Sequence, residues 1–166
     1  MSSAFRQHMF ASPVVADIEQ ATALTPAVRL APFLMIMLAS LGLADAFYDS
    51  YAIYTGQPLW CPPPVDGCNI VAASPYARVF DLPLGYLGVV YYLFMLMLSG
   101  LLAVDPVSPG LRLGTVLVAG AGVLASAIFV YIQINFIHAF CIYCMISAAL
   151  TVLLLATTLS YAGSAR

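Results

Sequence analysis

Lysine is absent from this chain of 166 residues, and charge of either sign is scarce, at 7% of residues. A soluble domain carries about 25% charged residues. The shortage excludes an ordinary water-soluble globule, whose surface needs far more polar cover. Five basic residues, all arginine, against seven acidic ones leave a net charge of −2. No basic patch can be built from that, which excludes nucleic acid as a partner. The first 27 residues lack an apolar core segment, so they are not a secretory signal. They hold Arg6, His8, Asp17 and Glu19 and read as a poorly ordered tail or a short surface helix. Cysteine is limited to four residues, and no Cys-x-x-Cys-His follows the haem-attachment pattern, since Met145 succeeds Cys144. The glycine fingerprint of a dinucleotide fold is also missing.

What remains is apolar: 63% of the chain is hydrophobic. A helix needs about 20 apolar residues to cross a bilayer core. Four runs qualify, at about 30–54, 82–104, 113–136 and 140–161. The fold expected is therefore an all-α integral membrane protein. It is a four-transmembrane-helix bundle with a structured outer loop, 55–81, carrying a short helix. The division expected is a tail over 1–27, a transmembrane domain over 28–162 and a C-terminus over 163–166. Gly114, Gly120, Gly122, Ala125 and Ser126 mark the third run as one that permits close helix contact. Asp45 and Asp49, four residues apart on one face of the first run, should turn toward protein or the interface rather than lipid. Gln133 in the third run should face the bundle.

The loop is more than a linker. Cys61 is followed by Pro62, Pro63 and Pro64, which forbid helix and favour a stiff, extended path. Asp66-Gly67 reads as a turn. Ser74-Pro75 reads as an N-cap and first helical residue, with a short helix running to about Phe80. Asp81 is placed to cap the second run.

Four spans put both ends of the chain on one side. Arg6, Arg29, Arg112 and Arg166 share that side with the Asp105–Gly110 turn, and only Arg78 lies opposite. The positive-inside bias makes that side cytoplasmic. The Cys61/Cys68 loop and Cys141-Ile142-Tyr143-Cys144 then meet at the outer face, which is the oxidising one in a bacterium. Span number and arginine placement alone set this topology, so the convergence of the cysteines is independent support for it.

Two thiols at i and i+3 share a helix face. In a first helical turn they also feel the positive helix end, which favours thiolate. A structural zinc site is disfavoured by the six residues between Cys61 and Cys68, since zinc pairs are more closely spaced. Inert disulfides or buried thiols are the other bland reading, but a Cys-x-x-Cys on a helix start is usually redox-active. The arrangement points to thiol–disulfide exchange between two pairs, with a lipid-soluble acceptor, a quinone, taking the electrons.

These residues resemble the vitamin K epoxide reductase (VKOR) family in its bacterial stand-alone form, without a fused thioredoxin-like domain. The matching stretches are Leu41-Gly42-Leu43-Ala44-Asp45, Cys68-Asn69-Ile70-Val71-Ala72-Ala73-Ser74-Pro75-Tyr76, Leu82-Pro83-Leu84-Gly85-Tyr86-Leu87-Gly88 and Phe140-Cys141-Ile142-Tyr143-Cys144. The chain departs from the pattern at Asp81, where the family usually carries glycine. The resemblance implies a bundle around a quinone pocket capped by the outer loop. It implies that Cys61 exchanges with a separate DsbA-like, thioredoxin-fold partner, that Cys68 relays to Cys141, and that Cys144 meets the quinone, ubiquinone or menaquinone. Ser74 matches a serine near the quinone and the active disulfide. Tyr91, Tyr92, Tyr131 and Tyr143 are candidates for the pocket lining, although tyrosines near a membrane surface more often form a belt. His138 is a candidate to tune Cys141 or to donate to a quinone carbonyl; the plainer reading, for it and for Asn135, is an interfacial side chain. The function expected is a multi-pass thiol oxidoreductase of a bacterial inner membrane, its cysteine loop periplasmic, passing electrons to quinone without a metal. A quinone or quinone-epoxide reductase driven by a thiol partner is the alternative enzyme. A four-span scaffold whose cysteines staple the loop is the alternative from another class.

Overall fold

The computed structural model describes residues 26–62 and 67–164. The expected N-terminal tail, most of the Pro62–Asp66 stretch and Arg166 thus lie outside the described residues. Four long helices dominate: α1 (Pro26–Thr55), α3 (Leu84–Val104), α4 (Pro109–Ile132) and α5 (Ile142–Ser164). Each is long and apolar enough to cross a membrane. Between α1 and α3 the loop carries a short helix α2 (Cys68–Ala73), a single 3₁₀ turn (Pro75–Ala77) and a two-stranded hairpin, β1 (Arg78–Val79) with β2 (Leu82–Pro83). Arg78 pairs with Pro83 and Val79 with Leu82, antiparallel.

Helices that face lipid gain little from hydrophobicity alone, so their contacts depend on small residues and shape. At the α1–α3 seam, the Tyr92 ring fills the space a Cβ on Gly42 would need. A Cβ on Gly88 would stand 3.0 Å from that of Ala46. On α4, Gly122 receives the Tyr91 ring, but Gly114 and Gly120 face open space and Ala125 is exposed. The close contact expected of the third run is therefore concentrated at Gly122, and the tightest seam lies between α1 and α3. Met35, Tyr92, Met95, Leu102, Leu154 and Tyr161 form the centre of the main core.

The loop differs from expectation in detail. An α-helix, α2, precedes Ser74, and the helix that follows it is a single 3₁₀ turn with Ser74 at the N-cap position and Pro75 first, as the sequence predicts, but shorter. Ser74 has ψ 152°, the extended conformation that a following proline demands. That conformation ends α2, and the Ser74 hydroxyl donates back to the Val71 carbonyl at 2.7 Å. No side-chain cap closes the 3₁₀ turn. The helix expected to reach Phe80 stops at Ala77. Asp81 does not cap α3; Pro83 occupies that position. Phe80 and Asp81 form the hairpin tip with φ of 52° and 64°. A two-residue hairpin turn needs two left-handed residues to match strand twist. Asp81 tolerates that conformation, and glycine would adopt it freely.

Candidate redox-active site

The site begins at the end of α4. There the helix widens into a π turn, Gln133–Ile137, and His138 closes it in the left-handed conformation with φ 57°. A π turn rotates side chains away from the α-helical register, and such turns are frequent at functional sites. Gln133 is carried inward, with 2% of its surface exposed. Its Oε1 accepts the Cys141 backbone N–H at 3.0 Å.

Cys141 stands one residue before α5, at the N-cap. Its carbonyl accepts the Met145 N–H at 3.1 Å, and its Sγ accepts the Cys144 N–H at 3.5 Å. The sulfur thus does what a serine oxygen does at an N-cap, satisfying a free N–H of the first turn. Both thiols are free, Cys141 buried and Cys144 partly exposed.

The other pair is closed: Cys61 and Cys68 form a disulfide with Cα atoms 6.3 Å apart. Cys68 is fully buried in a small apolar cluster that also contains Val71, Ala139 and Cys141. Gly67 explains how the loop comes so near. A Cβ there would lie 2.6 Å from the Phe140 carbonyl oxygen and 2.7 Å from its nitrogen. Only glycine lets the turn before Cys68 lie against the backbone before Cys141.

The segment leading into Cys61 is tied at four backbone groups. The Asn69 carboxamide accepts from the Leu59 N–H at 2.8 Å and donates to its carbonyl at 3.1 Å. The Trp60 N–H donates to the Tyr48 hydroxyl at 3.4 Å, and the Tyr143 hydroxyl donates to the Trp60 carbonyl at 2.6 Å. Helices α1, α2 and α5 thereby hold the Leu59–Trp60 strand in place. Trp60 itself is 71% exposed beside a half-buried Cys61.

Two adjoining cavities open behind the cysteines. One, of about 40 Å³, has Cys68, Cys141 and Cys144 on its wall. The other, of about 90 Å³, has Asp45, Tyr143, Cys144 and Ser147. Asp49, Leu84, Phe129, Gln133 and Cys144 line both. Both aspartates of α1 thus turn inward. Gly85 makes room for one of them, since a Cβ there would stand 2.7 Å from Asp49 Oδ2. Largely apolar walls with a few polar groups converging on them are the lining that small-molecule sites share.

Of the residues singled out in the sequence, the structure brings Cys61, Cys68, Cys141 and Cys144 to one end of the bundle, with Tyr143 on a cavity wall. Ser74, Tyr91, Tyr92, Tyr131 and His138 are not on either wall. Tyr91 has a buried hydroxyl without a partner, and Tyr92 bonds to Ser147 at 2.8 Å. Tyr131 is 59% exposed, and His138 is exposed. Sequence reasoning missed the holding roles of Gly67 and Asn69. Their signal was present in one respect, since both flank Cys68 directly. Among the described residues, no group of three His, Cys, Asp or Glu side chains is placed to hold a metal ion.

The chain matches the model of the Vitamin K epoxide reductase family over residues 33–159. It belongs to that family, as a multi-pass membrane oxidoreductase. Comparison with curated proteins gave no match.

Proposed function

We propose that this VKOR-family chain oxidises a thioredoxin-fold protein outside a bacterial inner membrane and delivers the two electrons to a membrane quinone. The observation that carries this reading is the first cavity, where Cys68 of the closed pair shares one wall with Cys141 and Cys144 of the open pair.

The partner's thiolate attacks the Cys61 sulfur, forming a mixed disulfide and releasing the Cys68 thiolate. The partner's second thiolate resolves it, so the partner leaves oxidised and the loop pair is reduced. Cys68 then attacks Cys141 in its disulfide with Cys144, and Cys61 resolves that bond. The loop pair is closed again and the helix pair holds two electrons and two protons. This is the pairing seen here: Cys61–Cys68 bonded, Cys141 and Cys144 free. The quinone, as substrate, takes up two electrons and two protons and leaves as quinol. The N-cap position of Cys141 supports its role as leaving group, since a stabilised thiolate departs faster. The exposed Trp60–Cys61 corner supports docking of a separate, DsbA-like partner. Ser74, Tyr91, Tyr131 and His138 receive no role here, because each stands off the cavity walls.

The test is a trap. Cys68→Ser leaves Cys61 a free thiol; given the oxidised partner, it opens the partner's disulfide, releasing one partner thiol, and with no Cys68 to complete the exchange it should strand a Cys61–partner disulfide, seen as a covalent heterodimer on a non-reducing gel and lost with dithiothreitol. Cys61→Ser should give none. Trapping in Cys61→Ser instead would exchange the two roles, and trapping in neither would count against direct exchange with a protein.

The orientation rests on the arginines. Tyr161 bonds to the Pro106 carbonyl at 2.9 Å, which sets the Asp105–Gly110 turn beside the C-terminal end of α5, opposite the cysteines. Cysteine introduced at Ser108 in a cysteine-free background should resist an impermeant maleimide in intact cells. Ready labelling would overturn the proposed periplasmic placement of the cysteine end.

A further inference from the structure

Gln133 is the feature of the site that thiol exchange leaves unexplained. A carboxamide offers an acceptor at one end and two donors at the other. Here the orientation is fixed by chemistry: the Cys141 N–H can only donate, so the atom 3.0 Å from it must be Oε1. The Nε2 group therefore points the other way. Among the described residues it donates to no protein atom. The side chain is nevertheless 2% exposed and lines both cavities. The donor is not sealed in, since the buried side-chain atom without a partner is the Tyr91 hydroxyl; Gln133 keeps its small remaining surface on the cavity walls, where a ligand can complete it.

The ligand's chemistry follows from the donor. Of the five residues common to both walls, Leu84 and Phe129 are apolar, Asp49 is a carboxyl group and Cys144 is the thiol. Gln133 is the side-chain N–H donor among them. The hydroxyls of the second cavity are already engaged: Tyr143 with Trp60, Ser147 with Tyr92, and Ser126 with Thr151. A ligand that offers a carbonyl oxygen, sits on apolar walls and reaches Cys144 meets every one of these features.

We propose that the Gln133 carboxamide is the hydrogen-bond donor that holds a carbonyl oxygen of the quinone beside Cys144. This rests on the quinone reading above. One planar group then spans the Cys141 backbone and the acceptor, so it sets the acceptor's position relative to the thiol pair. The same donor faces the oxygen on which negative charge develops during reduction, where a fixed dipole is most effective.

The test separates the two ends of the carboxamide. Gln133→Glu keeps an oxygen for the Cys141 N–H and, titrated at a pH high enough to ionise the new carboxyl, offers no donor in place of the amide. Gln133→Met removes both. In a Cys144→Ser background, which blocks turnover, a short-tailed quinone is titrated against each protein. Both variants should raise Kd about tenfold, equivalent to about 1.4 kcal/mol. Single-turnover electron transfer from the loop pair to the Cys141–Cys144 disulfide, measured with Cys144 restored, should fall more in Gln133→Met than in Gln133→Glu, which keeps an oxygen on the Cys141 N–H. Unchanged Kd in either folded variant overturns the proposal. Should neither variant fold, the infrared spectrum of quinone bound to the Cys144→Ser parent decides: one carbonyl stretch shifted to lower wavenumber supports the donor, and two unshifted stretches overturn it. If the Cys144→Ser parent binds no quinone, the quinone reading itself fails. If the parent binds and Gln133 does not matter, only this assignment fails.

Discussion

The two ends of the bundle are built on opposite plans. At the Asp105–Gly110 end, Arg112 Nε donates to the Pro106 carbonyl at 3.0 Å, and its guanidinium stands 5.6 Å over the Tyr161 ring. Tyr161 reaches the same carbonyl, and Asp105 accepts from the Val107 and Ser108 N–H groups. Buried Met35, Leu102, Leu154 and Thr158 fill the space beneath. At the cysteine end the apolar cluster is small, the cavities lie beside it, and a disulfide and backbone ties to Asn69, Tyr48 and Tyr143 hold the loop. One end closes the bundle by packing. The other leaves room and fixes its parts by directed bonds. Thiol exchange needs sulfurs brought into line at each step, which a filled core would not allow.

The contrast can be broken most severely at the thiol that lines both cavities. Cys144→Ser should abolish quinone reduction while sparing one round of exchange between the loop pair and its partner. Stopped assays with a reduced partner and a short-tailed quinone would show both; near-normal quinone turnover would exclude Cys144 as the donor. A smaller effect is expected where the loop meets the helix end. Gly67→Ala places a methyl against the Phe140 backbone and pushes Cys68 away from Cys141. Transfer between the pairs should slow about tenfold, or about 1.4 kcal/mol in the barrier. Rapid alkylation and mass analysis would measure it, and a rate within twofold of the parent would show that the close approach is not needed. The smallest effect on catalysis belongs to the opposite end. Arg112→Ala removes bonds to the Pro106 carbonyl and a cation–π contact, each worth about 1 kcal/mol. The unfolding midpoint in detergent should drop by a few degrees while turnover stays within twofold. A large loss of turnover without loss of stability would show that the two ends are coupled.

The same contrast explains what was legible in the sequence. The four spans are long apolar runs, and a run of 20 residues survives any local ambiguity. The convergence of the cysteines followed from counting spans and placing arginines. The loop was harder. Ser74-Pro75 carries the signal of a helix start, but the proline equally forces Ser74 to be extended, and here that ends the preceding helix. Gly67 and Gln133 act through single close contacts with residues far along the chain, at Phe140 and Cys141. Such contacts leave no periodic pattern to read. The sequence marks Gln133 as a polar residue facing the bundle, but its partner depends on the π turn, which nothing in Gln133-Ile134-Asn135-Phe136-Ile137 announces. Asp45 and Asp49 were legible as a pair on one face. Their place beside Cys144 depends on Gly85, a residue of another span.

The burial of the two inner sulfurs has a consequence for leakage. Cys68 is 0% exposed and Cys141 2% exposed, while Cys61 and Cys144 at the outer positions are partly open. On the proposed route the inner sulfurs exchange with each other and the outer ones with partner and quinone. Small thiols such as glutathione reach only a terminal of this conductor. The middle is insulated by Val71, Ala139 and the Gly67–Phe140 contact. A short circuit that returns electrons to the wrong donor must enter through a sulfur already committed to a specific partner, so the fold restricts current loss by geometry rather than by potential.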